Sequence, residues 1–387
     1  MTLTLSLTNL FSLIVLISFL SSCTGPSNTR SFASADYVSE EQPEVEQGEV
    51  WGDEEMKGAR LIRNQFRDML LESTGNNDEM KRDAHPKHHG CVMANLEIDN
   101  TRLTSSQKVG IFEKNSKYHS VIRFSNGDPN HHKADNKSDV RGMAIKVLNV
   151  PYASYLEDIG VEKDINSHDF VFMNSKSFFI KDPKHYGKFM DSLKDGGLSV
   201  LSFGLKAILN PNDHFVSILR KAFGMKVGNP LDINYHSATP YKLGNTSMKM
   251  MFKSCKSYKT KVPRKAEKNF LAEKLTSYLD KKSSCFDFYI QPNKDPKRNN
   301  IENSQKNWST RKSPYIKVGR LQIPQQSKES IIARNQKCED LSMNPWRAPV
   351  ENRPLGGVNR IRLEVYVKQA KMRQQHNNVS YPGPSSF

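Results

Sequence analysis

The apolar residues of this chain repeat with two different periods. Between Met56 and Phe66 they recur at spacings of three and four, which predicts a helix over about residues 54–71 because such positions share one helical face. From residue 91 to residue 98 the period changes to two, with every second side chain apolar. That alternation is typical of a strand with one buried face.

Further segments extend this picture of short strands with helices between them. The strand candidates are 120–125, 142–150, 169–180, 247–252, 285–291 and 315–323. The additional helix candidates are 184–194, 200–209 and 266–281. Several short strands joined by polar connections favour an antiparallel sheet or barrel. Together with the helices, they predict an α+β fold.

The N-terminus carries an apolar run over residues 10–20. This run is shorter than the roughly 20 residues that a stable transmembrane helix needs, and it fits the core of a secretory signal. It ends in Leu20-Ser21-Ser22-Cys23, which resembles a bacterial lipobox with Cys23 as the lipidated residue. The alternative is an ordinary signal peptide with a chance cysteine. We expect a lipid-anchored protein of the cell envelope, on the periplasmic side. Because Thr24 and not aspartate follows Cys23, we expect the outer membrane.

The composition divides the chain into four parts. Residues 1–22 are the predicted signal peptide, and residues 23–55 are polar and acidic, as in a flexible tether that cannot bury enough surface to fold alone. Residues 56–375 are the predicted folded domain, and the polar, proline-containing segment 376–387 is a predicted disordered tail. The oligomeric state stays open, with a homo-oligomer among the possibilities.

The net charge of +16 limits the classes of partner. No zinc-finger spacing, basic zipper or RNA-binding aromatic motif accompanies it, so we expect no nucleic-acid binding. A basic surface of this kind is compatible with solvation or with an anionic lipid surface. The four cysteines after Cys23 form no CxxC pair, which argues against a zinc or thioredoxin site. Their spacing leaves free thiols and any disulfide pairing equally open.

The segment from Arg82 to Cys91 places His85, His88 and His89 just before the first predicted strand. One interpretation is a metal site that uses all three histidines, although Pro86 argues against the helix on which such ligands often lie. A second interpretation is an ordinary polar turn. The third comes from the motifs that follow.

Six motifs stand in a fixed order along the chain, and each of them alone is weak. They are Arg82-x-x-His85, Arg123-Phe124-Ser125, Asp139-Val140-Arg141-Gly142, His168-Asp169-Phe170 followed by Phe178-Phe179, Asn344-Pro345-Trp346 followed by Arg353-Pro354, and Arg362-x-x-x-Tyr366. As an ordered series over about residues 82–373, they resemble the catalase superfamily, and in detail its branch of smaller catalase-related haem proteins. The resemblance implies a catalase-like antiparallel β-barrel with surrounding helices and a pocket for haem b.

The resemblance also assigns roles on the peroxide side of that haem. His85 matches the distal histidine, and Ser125 matches the serine that orients its imidazole. Large catalases add an asparagine at a fixed distance before the Phe-Phe pair, and counting back from Phe178 places Met173 there. Either a shift of one residue brings Asn174 to the haem as a third catalytic residue, or the site lacks this donor. The long C-terminal region of large catalases is absent, so no NADPH site is expected.

On the other side of the haem, Tyr366 matches the tyrosine that ligates the iron. The resemblance gives haem contacts to six further residues: Arg82, Arg123 and Arg373 toward the propionates, Arg362 beside the tyrosine, and Phe178 and Tyr186 against the porphyrin. A phenol with an ordinary pKa of about 10 must lose its proton to bind Fe(III) well, and a neighbouring guanidinium favours the anion. Spacings of four and eleven place Arg362, Tyr366 and Arg373 on one face of a helix.

The pattern around Tyr366 is ambiguous, because Ile361, Leu363, Val365 and Val367 also alternate as in a strand. The helix prediction therefore depends on the resemblance.

The resemblance implies three candidate functions. The first is a haem peroxidase with weak catalase activity, acting on H2O2 or organic hydroperoxides with an unknown reducing substrate. The second is a lipid hydroperoxide isomerase of the allene oxide synthase type. The third is a non-catalytic haem-binding lipoprotein.

Overall fold

The computed structural model describes residues 47–50, 52–74, 78–163, 165–381 and 387. The predicted signal peptide and Cys23 lie outside the described residues. No helix in the described part of the chain is long and apolar enough to cross a bilayer.

Nine strands of the described chain form one antiparallel sheet. Eight close into a barrel in the order β5-β4-β3-β2-β1-β9-β8-β7, because the very short β5 pairs with both β4 and β7, while β6 continues from β7 outside the ring. The predicted α+β class and antiparallel barrel are confirmed. The strands are β1 His88–Ile98, β2 Ser116–Asn126, β3 Arg141–Leu148, β4 Ser167–Met173, β5 Tyr235–His236, β6 Tyr241–Leu243, β7 Thr246–Ser254, β8 Ser284–Pro292 and β9 Ile316–Ile323.

The barrel interior is filled by side chains from the alternating positions. The apolar positions of β1 that alternate in the sequence are all buried in this core. The rings of Phe252 and Phe288 stack with their centroids 4.4 Å apart, and Phe170 meets Phe288 edge-on at 5.6 Å. Such aromatic pairs stabilise a core beyond their burial alone. Because the interior is occupied in this way, the polar residues of the motifs lie on the outer face and at the strand ends.

Eight α-helices surround the barrel in the described chain: α1 Asp53–Ser73, α2 Tyr155–Asp158, α3 Pro183–Asp195, α4 Gly197–Leu209, α5 Phe215–Phe223, α6 Phe270–Leu279, α7 Lys328–Asp340 and α8 Gly357–His376. Four short 3-10 helices lie at Ser105–Gln107, Gly110–Phe112, Pro230–Asp232 and Val350–Asn352. The helix prediction for the segment around Tyr366 is thereby confirmed.

Helix α8 begins where the chain leaves the barrel. Gly356 precedes it with φ of +85°, and a Cβ there would lie 2.4 Å from the carbonyl oxygen of Ile301. Only glycine adopts this conformation so close to another backbone without strain. Along the helix, Ile361 and Val365 pack against Ala59 and Ile62 of α1. The start and the packing of α8 thus fix its position beside the outer face of the barrel.

The folded body extends further toward the N-terminus than residue 56. The carboxylate of Glu49 is buried and lies 2.8 Å from Arg353 and 2.9 Å from Arg360. Arg360 also binds Glu55 at 2.6 Å and Glu302 at 2.9 Å. The last part of the predicted tether is therefore bound to the body. At the other end, Tyr381 and Phe387 of the predicted disordered tail pack against an apolar cluster that includes Leu148 and Leu341.

Two disulfides settle the pairing that the sequence left open. Cys91 bonds Cys338 and so links β1 to α7, with their Cα atoms 6.0 Å apart. Cys255 bonds Cys285 at a Cα distance of 5.5 Å, which links β7 to β8 at their ends. Both Cα distances fall in the normal range for a disulfide.

Candidate functional site

The site is built on the outer face of the barrel, where β2 and β4 end and β3 begins. Strand register pairs Ser125 with Gly142 and Gly142 with Met173. Residues paired directly across an antiparallel sheet point to the same side, and their chain neighbours Phe124 and Phe172 face the barrel core. Ser125, Gly142 and Met173 therefore form one outward-facing row.

His85 lies against this row, in the loop that leads into β1. Its Nδ1 atom lies 3.0 Å from Oγ of Ser125. Its φ of +60° is in the left-handed region, which is sparsely populated by residues other than glycine and persists where surrounding structure imposes it. The hydrogen bond engages Nδ1, while Nε2 makes no hydrogen bond to a described residue. The predicted pairing of His85 with Ser125 is thus present in the structure.

Gly142 completes the seat of the imidazole, a role that the sequence analysis did not assign. A Cβ at this position would lie 2.5 Å from Nδ1 of His85 and 2.7 Å from Oγ of Ser125. The ring can lie flat on the strand because no side chain is there. The sequence signal was the glycine within Asp139-Val140-Arg141-Gly142, since glycine inside a strand often marks a close approach.

We expect Gly142→Ala to displace His85 and break its hydrogen bond to Ser125. Overpacking of this kind costs about 1–3 kcal/mol of stability, measurable by denaturant unfolding. The matched control is Gly58→Ala in α1, where a Cβ meets no atom within 4 Å, and alanine in a helix is favoured by about 1 kcal/mol. Equal stability of the two variants would contradict the conclusion that the imidazole of His85 needs a glycine at position 142.

The surroundings of His85 keep its imidazole neutral. Burial, together with the guanidinium groups of Arg123, Arg362 and Arg82, lowers the pKa of His85 to about 3. A neutral imidazole can accept a proton at one atom and return it later, which is what general acid–base catalysis requires.

Tyr366 and Arg362 face this region from α8. Nη1 of Arg362 lies 3.2 Å from Oγ1 of Thr239 and 3.2 Å from Oδ1 of Asn359, and its guanidinium lies 4.9 Å from the ring centre of Phe178. Burial raises the pKa of Tyr366, and Arg362 acts against that shift. The charge of Arg362 therefore lowers the pKa of both His85 and Tyr366.

Aromatic rings pack together near Arg362 and Tyr366. The ring of Tyr186 lies 6.5 Å from that of Phe178 and 6.1 Å from that of Phe66 on α1, measured between centroids. Burial raises the pKa of Tyr186 as well. The sequence analysis predicted Phe178 and Tyr186 but missed Phe66, which in the sequence is only part of the periodic face of α1. It also missed Asp83, whose carboxyl raises the pKa of both tyrosines and whose own pKa is raised by burial.

Arg82, Arg123 and Arg373 converge at one place, on the end of α7. Glu339 receives Arg82 at 2.9 Å and Arg123 at 2.9 Å, while Arg373 donates to the carbonyl of Glu339 and, at 2.9 Å, to that of Leu341. Burial would raise the pKa of Glu339, but Arg123 and Arg82 hold it well below its usual range. Two guanidinium groups share the Glu339 carboxylate, and Arg373 binds backbone carbonyls beside it. Burial and the neighbouring Arg123 lower the pKa of Arg82, while Glu339 and Asp83 act against that shift.

Asn174 has a different environment from the one the resemblance implied. Its Oδ1 accepts the N–H of Arg141 at 2.9 Å, and its Nδ2 donates to the carbonyl of Ala222 at 2.9 Å. The amide therefore ties the start of β3 to α5 and makes no hydrogen bond to His85. The residue in the outward-facing row is Met173, because its register partner is Gly142. The strand register thus places Met173, and not Asn174, in this row.

The metal-site interpretation of His85, His88 and His89 is wrong for the described residues, which contain no group of three ligands able to hold a metal ion. His89 instead lies 2.7 Å from Oδ1 of Asn126 through its Nε2 atom and is buried.

The geometry can be compared with known proteins. No protein-family model and no curated protein matches the chain. Among solved structures, it is similar to catalase A from Saccharomyces cerevisiae, with a TM-score of 0.62 and 16% identity over 95% of this chain and 72% of that one. A fungal catalase gives 0.61 and 18% over 80% of this chain, and a bacterial catalase gives 0.59 and 16% over 96% of this chain and 71% of that one. The chain spans 63% of the length of the fungal catalase. It therefore has the catalase fold.

Proposed function

We propose that this protein is a haem-dependent, peroxide-metabolising oxidoreductase of the smaller catalase-related kind, a peroxidase with weak catalase activity. The observation that carries the proposal is the arrangement around Arg362, with the His85–Ser125 pair on one side and Tyr366 on the other. The catalase fold supports it but leaves the activity open, because the identity to the similar structures is 16–18%.

The residues present fit haem b by three tests. The hydroxyl of Tyr366 makes no hydrogen bond to a described residue and lies beside a guanidinium, which suits a phenolate ligand to Fe(III). Phe178 and Tyr186 offer flat apolar surface for a planar ring system. The guanidinium groups of Arg82, Arg123 and Arg373 lie together at the end of α7, and guanidinium groups pair well with carboxylates. We propose Tyr366 as the iron ligand and Arg82, Arg123 and Arg373 as the propionate partners.

Haem, when bound, supplies the iron at which a peroxide is reduced by two electrons. The chain's own residues would then move the proton. His85 is neutral because of burial, so it can take a proton from one peroxide oxygen and return it to the other. Ser125 holds Nδ1, which orients the ring and directs Nε2 toward the substrate. Met173 in the outward row offers no N–H to orient H2O2, and this favours peroxidase turnover with a separate reductant over rapid disproportionation.

The test is an absorption titration of the purified protein with haem, followed by addition of H2O2. We expect a saturable Soret band at one haem per chain and a spectral change with peroxide. Absence of a Soret band would rule out both enzymatic functions. Haem binding without any reaction would favour the non-catalytic haem protein. Conversion of a fatty-acid hydroperoxide without consumption of a donor would favour the allene oxide synthase type.

We also propose that the protein is anchored to the cell envelope through a lipid on Cys23. The apolar run followed by a lipobox-like sequence supports this proposal. Labelling of the expressed protein with a fatty-acid analogue, compared between the wild type and Cys23→Ser, tests it. Equal labelling would contradict it.

A further inference from the structure

A cavity lies beside Glu339, and its lining includes neither His85 nor Tyr366. It has a volume of about 400 Å³ and lies between the start of β1, the loop at residues 131–132, the start of α6 and the end of α7. Its polar lining includes Lys81, His88, His131, His132, Lys268 and Glu339. Ligand sites typically measure about 300–1,000 Å³, so the cavity has room for a small molecule.

The lysines of the lining differ in how strongly the chain itself binds their ammonium groups. Lys87 is turned away, because its Nζ binds Asp135 at 2.7 Å and two backbone carbonyls. Lys81 has one surface partner, Glu79 at 2.5 Å, and exposed pairs of this kind contribute little. Lys268 is exposed and forms no ion pair within the described chain. The cavity thus presents two ammonium groups that are available to a ligand.

Glu339 is the one acidic residue of the described lining, and its negative charge is already balanced by two arginines. Glu339 is ionised, but Arg82 holds its Oε2 atom and Arg123 its Oε1 atom, each at 2.9 Å. Its charge is therefore balanced by two guanidinium groups and does not oppose an anion in the cavity. A cation would meet Lys81 and Lys268 without a free carboxylate in the described lining.

The imidazole of His88 also lines the cavity, and its Nε2 lies 3.8 Å from Glu339. At the mouth, the rings of His131 and His132 lie with centroids 3.9 Å apart. They do not form a metal site with His88, since no three ligands of the described chain are suitably placed.

We propose that this cavity binds a small organic anion that carries a carboxylate or phosphate group. The anionic group binds at Lys268 and Lys81, beside the imidazole of His88 in the lining. Glu339 separates this ligand from Arg82 and Arg123, so the anion sits one residue away from the proposed propionate partners. The proposal does not require haem, because all the groups that carry it are in place in the chain itself.

The experiment measures binding by calorimetry to the full chain at low ionic strength. The probes are phthalate, inorganic phosphate and the uncharged phthalamide. We expect saturable binding of one anion per chain and no binding of phthalamide. Binding of phthalate alone identifies a carboxylate site, and binding of phosphate alone identifies a phosphate site. Absence of saturable binding for both anions overturns the proposal.

Variants distinguish a built site from general attraction to a basic protein. Lys268→Met should weaken binding by about fivefold and Lys81→Met/Lys268→Met by about tenfold or more, since each exposed charge pair contributes up to roughly that factor. Lys253→Met is the control, because Lys253 is exposed on β7 outside the cavity. If Lys253→Met and Lys268→Met weaken binding equally, the proposal is wrong.

Discussion

Tyr366→Phe is expected to lose the absorption bands of phenolate-ligated iron while leaving the fold intact. The substitution removes one oxygen whose hydrogen-bonding capacity no described residue uses, so the free energy of unfolding of the haem-free protein should change little. Haem affinity should fall by at least about 100-fold, because losing even an outer partner of a metal ligand costs about 10- to 100-fold. The measurement is the haem titration followed at the Soret and charge-transfer bands.

The control for this change is Tyr241→Phe. Tyr241 is a buried tyrosine on β6 whose pKa Arg362 also lowers against the effect of burial. The same atom is removed from a similar environment, so any general effect of losing a buried phenol appears in both variants. An unchanged spectrum in Tyr366→Phe would mean that the iron ligand lies elsewhere.

His85→Ala should keep haem but lose most of the reaction with peroxide. The imidazole is the group placed to move the proton between the two peroxide oxygens, and loss of such a general acid–base group costs about 10²- to 10⁴-fold in rate. Stopped-flow mixing of the haem-loaded protein with H2O2 gives the rate directly. His119→Ala is the matched control, since His119 is an exposed histidine on β2. A rate within a few-fold of the wild type would exclude His85 as the acid–base group.

The pH dependence of the wild-type rate gives a second check on His85. Burial and three guanidinium groups lower its pKa to about 3, so the imidazole stays neutral from pH 5 to pH 8. Lowering the pH protonates the base only as the pH approaches 3, and no acid limb should appear above pH 5. A histidine with the ordinary pKa of about 6.5 would instead lose half its activity near that pH. A rate that halves near pH 6.5 would therefore contradict the buried state of His85.

The sequence predicted best those elements that have one buried face. In β1 every second side chain enters the barrel core, so the alternation is visible along the chain. Helix α8 gave an ambiguous pattern because it is buried on nearly every side. Leu363 and Val367 pack with Trp346, while Ile361 and Val365 pack against α1. Because polar residues such as Arg360 and Glu364 are buried along with the apolar ones, the 3.6-residue period of apolar positions that identifies an amphipathic helix is lost.

The register between neighbouring strands could not be predicted from the sequence, for a different reason. Counting positions from Phe178 pointed to Met173 and left Asn174 as an alternative. The register decides between them, because Met173 pairs with Gly142 on the outer face. A displacement of one residue reverses the side to which a strand residue points. No periodicity within β4 alone could settle that choice.

The arginine contacts of Glu339 are a third feature that could not be predicted from the sequence. Glu339 gathers arginines that precede it by more than 200 residues and one that follows it by 34. Helix α7, on which it lies, is only weakly amphipathic in sequence, so the helix itself was not predicted. Contacts between such distant positions depend on how the barrel closes, and nothing local in the chain encodes them.

The disulfide between Cys91 and Cys338 divides the chain into a covalent ring and two arms. The ring encloses 247 residue steps and holds every barrel strand except the first residues of β1. His85 lies on the arm that ends at Cys91, and Tyr366 lies on the arm that starts at Cys338. The two groups that would face each other across a haem thus lie on the N-terminal and C-terminal arms, which the disulfide joins covalently. A protease cut anywhere inside the ring would leave both arms joined, with His85 and Tyr366 still in one molecule until the bond is reduced.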